Sequence, residues 1–479
     1  MIYLSKYKGS ELVSKKVFVK KVYAYQFDSI EINFRYKNSQ VYTTEKFTTV
    51  AYSNGTFKAR EIEMVSMCYV EDYDSATEGV RYCRSEILII QDIISFFTGI
   101  PFTVYNEISS SCSIEEICWQ EKPTNLVIEG ESYTDQLNKL LQKIYTEQEL
   151  IGSLLDRWRK ANYLKDESCD ANLYHDEAIL SYFHIIKLFA ENNSHEIKNK
   201  LDVEMNSLLS DYYNRNFFFS ANQINSKIGS IKEVLYEILI GKELTLSYKI
   251  KYFLESYNLL DPNVNYFIDS MIKIRNAIAH GRITYQEKHI WPIPPFFCLA
   301  RDSYDVLELL QLLTGRMISC YIDISCWVKE WEEAKMFLLP SEENFNSFLK
   351  GNCQFVDITK ESLCTGNSQN ITWATIFNHY VKNPRKFSVE RIAVSFKEFF
   401  LNTEITEENG ADLFNVSVIL CDHDDDSIRE KAISNIKKII KEQWFSWSNF
   451  KDLYRYLDYN NVAPTWYKEY LENGLYRDI

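Results

Sequence analysis

The chain has 479 residues, 46% of them hydrophobic and 25% charged, with only 14 glycines and 9 prolines. That balance belongs to a globular protein with a sizeable core and long regular elements, and it excludes a disordered, collagen-like or linker-type chain. A formal net charge of −14 argues against a protein that coats duplex nucleic acid non-specifically, and leaves open one that handles nucleic acid at a local site.

The N-terminal segment MIYLSKYKGSELVSKK has no apolar h-region, so no signal peptide is expected. The most apolar stretch, Ile87 to Tyr105, is interrupted by Gln91, Asp92, Gly99 and Pro101 and is not expected to span a membrane. The 11 cysteines form no C-x-x-C pair, which predicts reduced thiols and seeds no zinc site. A soluble cytoplasmic protein with no membrane partner is the expectation.

Val17 to Val19, Val22 to Tyr25 and Ile30 to Phe34 are rich in β-branched and aromatic residues and predict strands, with Asn54-Gly55 as a hairpin turn. Ser85 to Thr98 switches to helical spacing, and Gly99 and Pro101 are placed to stop it. From about residue 135 long helices are predicted. One carries Leu137, Leu140, Leu141, Ile144, Ile151, Leu154, Leu155 and Trp158. Others run from about His175 to Glu191 and from Glu196 to Tyr213. Asp261-Pro262 reads as an N-cap and first helical position for a helix bearing Val264, Phe267, Ile268, Met271, Ile274 and Ile278. A fifth helix is expected from Ala300 to Cys326, after a proline-rich loop at 291–295. Asp426 to Trp444 is the clearest later helix: Ile428, Ala432, Ile436, Ile439 and Ile440 form a stripe, and Lys431, Lys437, Lys438 and Lys441 lie mostly off it. The predicted class is α+β: a β-rich domain over 1–130, an antiparallel helical bundle over 131–335 and a helix-rich C-terminal domain over 336–479.

The informative segment is Ile274-Arg275-Asn276-Ala277-Ile278-Ala279-His280-Gly281, which reads R-N-x-x-x-H at the end of a predicted helix. With 16 Arg and 7 His, chance supplies about 0.2 bare R-x4-H pairs per chain of this composition. Asn276 and His280 are four apart, so they share a helix face and can hydrogen-bond, and the long Arg275 side chain can swing toward them. Imidazole takes and gives protons near neutrality, and guanidinium is the natural fork for a phosphate. Together they suit metal-free RNA cleavage through the 2′-hydroxyl. The same residues also suit a plain helix end, with His280 capping carbonyls and Arg275 in a salt bridge.

The segment resembles the HEPN superfamily, whose ribonucleases carry R-N-x-x-x-H on a late helix of a four- to five-helix bundle; Arg275, Asn276 and His280 match residue for residue. Phe183 to Glu191 resembles the family's aromatic-to-acidic helix, with Glu191 at the acidic residue often found near the site. The order of β-rich start, Ile90 to Val104, then bundle is similar to ApeA-like abortive-infection proteins. The resemblance does not reach residues 336–479. It implies a metal-independent endoribonuclease without cofactor, leaving 2′,3′-cyclic phosphate and 5′-hydroxyl ends. Such an enzyme would act as a toxin or antiviral effector on cellular RNA, with tRNA loops the first candidate because unpaired loops free the 2′-hydroxyl. The N-terminal domain would serve as sensor of a phage-derived trigger. HEPN nucleases pair two motifs across a dimer, and one motif per chain implies a homodimer or larger symmetric oligomer. A non-catalytic HEPN scaffold and a ligand-sensing binding protein are the alternatives.

Three further groups have two readings each. Cys421 to Asp426 suits a divalent cation or, better, an acidic helix start. His184 shares a face with Glu191, or is a buried core histidine. Trp444, Trp447 and Trp466 with Lys437, Lys438 and Lys441 suit single-stranded RNA or, more often for such aromatics, a core.

Overall fold

The structure, a computed structural model, describes residues 14–25, 29–52, 55–71, 76–117, 119–168, 174–239, 245–281, 306–335, 338, 340, 342–350, 358–365, 371–382, 384–444 and 450–473. The strands are β1 (Ser14–Tyr25), β2 (Ile30–Tyr36), β3 (Ser39–Tyr52), β4 (Gly55–Glu71), β5 (Glu107–Ser113), β6 (Asn125–Ile128) and β7 (Glu131–Ser132). The helices begin with α1 (Ala76–Thr98), α2 (Thr134–Thr146), α3 (Gln148–Ser168), α4 (His175–Asn192), α5 (Ser194–Phe217) and α6 (Ala221–Leu239). They continue with α7 (Leu246–Ser256), α8 (Pro262–Ala279), α9 (Val306–Ile322), α10 (Val328–Lys335), α11 (Glu342–Leu349) and α12 (Lys360–Thr365). The last are α13 (Trp373–Lys382), α14 (Val389–Asn402), α15 (Gly410–Leu420), α16 (Asp426–Glu442), α17 (Phe450–Tyr459) and α18 (Thr465–Glu472). An antiparallel sheet followed by a helix-rich remainder makes the class α+β.

By its internal contacts the chain divides into two compact units, Met1–Asn192 with Leu310–Val328, and Asn193–Leu309 with Lys329–Ile479. The helices of 131–335 are therefore shared between the units: α2, α3, α4 and most of α9 fall in the first, and α5 to α8 in the second.

In the first unit the sheet has the order β5-β1-β4-β3-β2-β6-β7, with every pair antiparallel. The β3/β4 register runs up to Tyr52 opposite Gly55, which is where the Asn54-Gly55 turn was expected; Asn54 itself lies outside the described residues. Helix α1 lies on the face bearing Val17, Val19 and Tyr25, because alternate β1 residues point to one side. It comes close at Gly79, where a Cβ would stand 3.0 Å from Val17 and 3.1 Å from the Cys112 thiol. The Tyr25 hydroxyl lies 2.5 Å from Thr98 Oγ1 and donates to the Ile100 carbonyl at 3.0 Å, fixing the end of α1.

Helix α3 packs on α1 and α4 around Trp158, whose ring meets Phe96 edge-on at 5.4 Å and Trp327 at 5.5 Å. Gly99, at φ +74°, leaves room for Trp327: a Cβ there would come within 2.8 Å of its ring. Through this apolar core runs a polar node. The Arg159 guanidinium binds the Asp92 carboxylate, donates to the Phe102 carbonyl at 3.3 Å and reaches Asp156 at 3.1 Å. Beside it Tyr182 donates to Asn162 Oδ1 at 2.5 Å, and Asn162 and Gln311 each donate to the Gly99 carbonyl at 3.3 Å. Burial pushes the Asp92 carboxyl up, to about 7, against the pull of Arg159.

The single helix expected over 137–158 is two, α2 and α3, broken at Glu147 (φ −134°, ψ 48°). The break is silent in the pattern because Ile144 and Ile151 are seven apart, so the stripe resumes in phase. The Glu147 carboxylate is held there by Lys143 at 2.6 Å and by the Tyr321 hydroxyl at 2.7 Å.

In the second unit α5 pairs with α6 and α7 with α8. The sequence reading did not single out α6 or α7, although Ile224, Ile228, Ile250, Phe253 and Leu254 carry their buried faces. The C-terminal helices share a core that includes Trp373, Phe396, Phe400, Phe414, Ile436 and Tyr467. Among the described residues no helix is long and apolar enough to cross a membrane.

Removing one member of a buried ion pair strands the other. Arg159→Met is expected to destabilise the first unit by about 3–5 kcal/mol, while Asp92→Leu with Arg159→Met should recover most of that loss. Guanidinium unfolding followed by tryptophan fluorescence reads both, and equal losses in the single and double variants would show that the node is not held by this pair.

Candidate functional site

Helix α8 begins as the sequence predicts. The Asp261 carboxylate accepts from the backbone N–H groups of Asn263 and Val264, both at 2.8 Å, and Pro262 occupies the first helical position. Val264, Phe267, Ile268 and Met271 are buried, each worth roughly 1.5–3 kcal/mol when fully withdrawn from water. Asp269 clasps α7, taking Lys251 at 2.8 Å and the Ser247 hydroxyl at 3.2 Å.

Past Met271 the helix emerges. Ile274 and Ile278, expected on the apolar face, are only half-buried; Arg275 is half-buried, and Asn276 and His280 are exposed. The His280 N–H still bonds the Asn276 carbonyl at 3.1 Å, but its backbone has left helical geometry (φ −97°, ψ 5°). Gly281 follows at φ +61°, and its N–H bonds the Ile278 carbonyl at 2.9 Å. Glycine past the helix end lets the chain turn left-handed with no Cβ penalty. The three motif residues thus stand in the last turn of a helix anchored at its other end.

Their pairing differs from the sequence expectation in one respect. Asn276 Oδ1 accepts from the Arg275 guanidinium at 2.9 Å, so the amide steadies the cation and not the imidazole. The long Arg side chain folds back onto its neighbour, and His280 stands at the C-cap, where the helix ends. Among the described residues no hydrogen bond holds the His280 ring. An accessible imidazole beside a fixed guanidinium can move a proton next to a bound phosphate.

Glu191 lies on exposed α4 surface, 3.5 Å from Lys187, and belongs to the first unit, whereas Arg275, Asn276 and His280 belong to the second. His184 is exposed, which removes the reading of a buried core histidine: its position on α4 faces away from Phe183, Ile185 and Ile186, which fill the core.

The Cys421 to Asp426 segment is a pair of helix starts. Asp425 accepts from the N–H groups of Ser427 at 2.9 Å and Ile428 at 3.4 Å, capping α16, and Asp422 accepts from Thr465 and Trp466 at the start of α18. His423 Nε2 lies 2.8 Å from Glu390, and its Nδ1 accepts from the Asp425 N–H at 3.1 Å. Lys397 and the hydrogen bonds to Ser427 hold the Asp425 carboxyl well below the usual carboxylate range. Among the described residues no three His, Cys, Asp or Glu side chains converge as a metal site.

Trp444 is half-buried against the C-terminal core, and Trp466 stacks on Tyr470 at 4.9 Å, so both act as packing groups. Trp447 lies outside the described residues.

Asp261 stands fifteen residues before Asn276, about 22 Å along the axis. Asp261→Ala is expected to cost about 1 kcal/mol through the lost cap. Thermal unfolding reads that loss, and any activity should persist per folded molecule. A drop in activity per folded molecule would show that the motif senses the far end of α8. No family model, curated protein or solved structure matches the chain.

Proposed function

We propose that the chain is a metal-independent endoribonuclease of HEPN type, with Arg275, Asn276 and His280 as its site. The observation that carries this reading is the placing of all three on one accessible helix end, with the guanidinium fixed by the neighbouring amide. In the proposed reaction His280 takes the proton from an RNA 2′-hydroxyl, and the 2′-oxygen attacks the adjacent phosphorus. Arg275 neutralises charge gathering on the non-bridging oxygens. The P–O5′ bond breaks, and the departing 5′-oxygen takes a proton, leaving a 2′,3′-cyclic phosphate and a 5′-hydroxyl. Asn276 acts through Arg275 as a positioning residue.

The leaving group needs a proton donor besides the base, and a second His280 from another copy supplies one. Half-buried Ile274, Ala277 and Ile278 beside the motif support a homodimer closing there, since such residues gain from being covered. The resemblance described above supports a cytoplasmic toxin or abortive-infection effector, cutting cellular RNA such as tRNA loops, with the sheet-bearing unit sensing a phage-derived trigger. Glu191 is not given a catalytic role in this proposal.

His280→Ala is expected to lose about 10²–10⁴-fold of the cleavage rate, in excess EDTA as in its absence. Arg275→Lys should be impaired, because the ammonium lacks the planar fork. Asn276→Ala should slow cleavage but add nothing in an Arg275→Ala background, since the amide acts through that guanidinium. End-mapping of RNA from cells expressing each variant reads the outcome, and wild-type rates in His280→Ala and Arg275→Lys would remove the nuclease assignment.

Light scattering at micromolar concentration should show a dimer. Ile278→Asp is expected to give monomers with little activity, and a fully active monomer would remove the composite site.

A further inference from the structure

The C-terminal helices hold a feature that the cleavage site does not use. One exposed side of α16 carries a shallow, open groove of about 660 Å³ lined by Glu430, Ile433, Ser434, Lys437, Lys438, Lys441 and Glu442. Some lysines elsewhere meet carboxylates, as Lys20 does Glu63, Lys139 Asp323, Lys251 Asp269 and Lys397 Asp425. Arg429, on the same helix, is paired with Asp426. Among the described residues Lys431, Lys437, Lys438 and Lys441 form no ion pair. Lys438 donates to the Ile405 carbonyl at 3.4 Å and stands 5.3 Å from the centre of the Trp444 ring. Burial and the charge of Lys438 both pull the Lys431 ammonium down, against Glu404.

Ordinary helix electrostatics does not account for this grouping. The negative end of the helix dipole favours cations only in the last turn, where Lys441 alone stands. In a chain of net charge −14, unneutralised lysines on one side of one helix repel one another, and an anion that fits the groove relieves the repulsion. Lys437 and Lys441 are one turn apart, about 6 Å along the axis, close to the step between consecutive phosphates of a nucleic-acid strand. A strand of linked phosphates can lie along the helix and take both lysines at once.

We infer that the lysine groove of α16 binds the phosphate backbone of single-stranded RNA. The choice of RNA as the anion rests on the proposed nuclease function; the groove and its charge do not. Contacts to phosphate carry no sequence information, so this surface would hold RNA of any sequence and leave selection to the cleavage site.

The test measures binding, not cleavage, so it can fail independently of the nuclease reading. The full chain carrying His280→Ala is titrated against a labelled single-stranded oligoribonucleotide in EDTA over a range of salt. Replacing Lys437, Lys438 and Lys441 together by Gln should reduce the slope of log affinity against log salt by about 2, at roughly 0.7 per phosphate contact. At physiological salt the same change should weaken binding roughly 10–100-fold. Glu430→Gln with Glu442→Gln should tighten it. These side chains are exposed, so an unchanged thermal transition is expected in each variant. Unchanged affinity and slope in the triple variant would overturn the inference. So would tighter binding of the wild-type groove to phosphatidylserine vesicles or polyglutamate than to RNA.

Discussion

The first unit is organised around one buried ion pair, Asp92 with Arg159. Both side chains are buried, where an unpaired charge would be costly, and the two terminal guanidinium nitrogens donate to the Phe102 carbonyl and to Asp156. Because Asp92 is on α1, Arg159 on α3 and Phe102 in the loop between α1 and β5, the pair fixes two helices and a loop at once. Apolar surface supplies the larger free energy but tolerates sliding; directional bonds do not. The Gly99 carbonyl, taken by Asn162 and Gln311, extends this pinning to α9, and Tyr182 extends it to α4. The sheet is bound to the same frame through Tyr25 and Thr98.

The legible parts of the fold are those where a local signal had a single meaning. Asp261-Pro262 starts α8, Gly99 ends α1, and Asp425 starts α16, because capping chemistry is decided within a few residues. Class followed from the change from strand to helix spacing, and β1 and β2 lie where β-branched and aromatic residues cluster, whereas the serine-rich β5 carried no such signal. What could not be read depended on distant partners. The break at Glu147 needs Tyr321, far along the chain, and α6 lost its signal to Gly229 and to an Asn- and Ser-rich surface face. Helices of 131–335 form a single continuous pattern in sequence, but α3 is drawn to α1 by Arg159, an assignment that periodicity does not contain.

At the candidate site the residues were legible and their pairing was not. Spacing puts Asn276 and His280 on one face only while the helix continues, and the helix stops at His280. The glycine that ends it, left-handed at Gly281, was itself visible in the sequence. Glu191, read from a resemblance of local pattern on α4, falls in the first unit, and α8 falls in the second.

An acidic chain and an RNA substrate are compatible for a reason of scale. At physiological ionic strength charges farther apart than about 8 Å are largely screened, so a phosphate responds to its neighbours and not to a net charge of −14. A basic side chain with a carboxylate close by, as at Lys251 with Asp269 and Lys397 with Asp425, contributes little beyond that distance. Among the described residues the α16 lysines Lys437, Lys438 and Lys441 have no carboxylate paired with them. Under the proposed function, acidity elsewhere adds selectivity: a strand would be attracted where these cations stand and repelled where carboxylates prevail. On the proposed reading, the surplus of carboxylates is part of how a weakly held RNA finds one helix end.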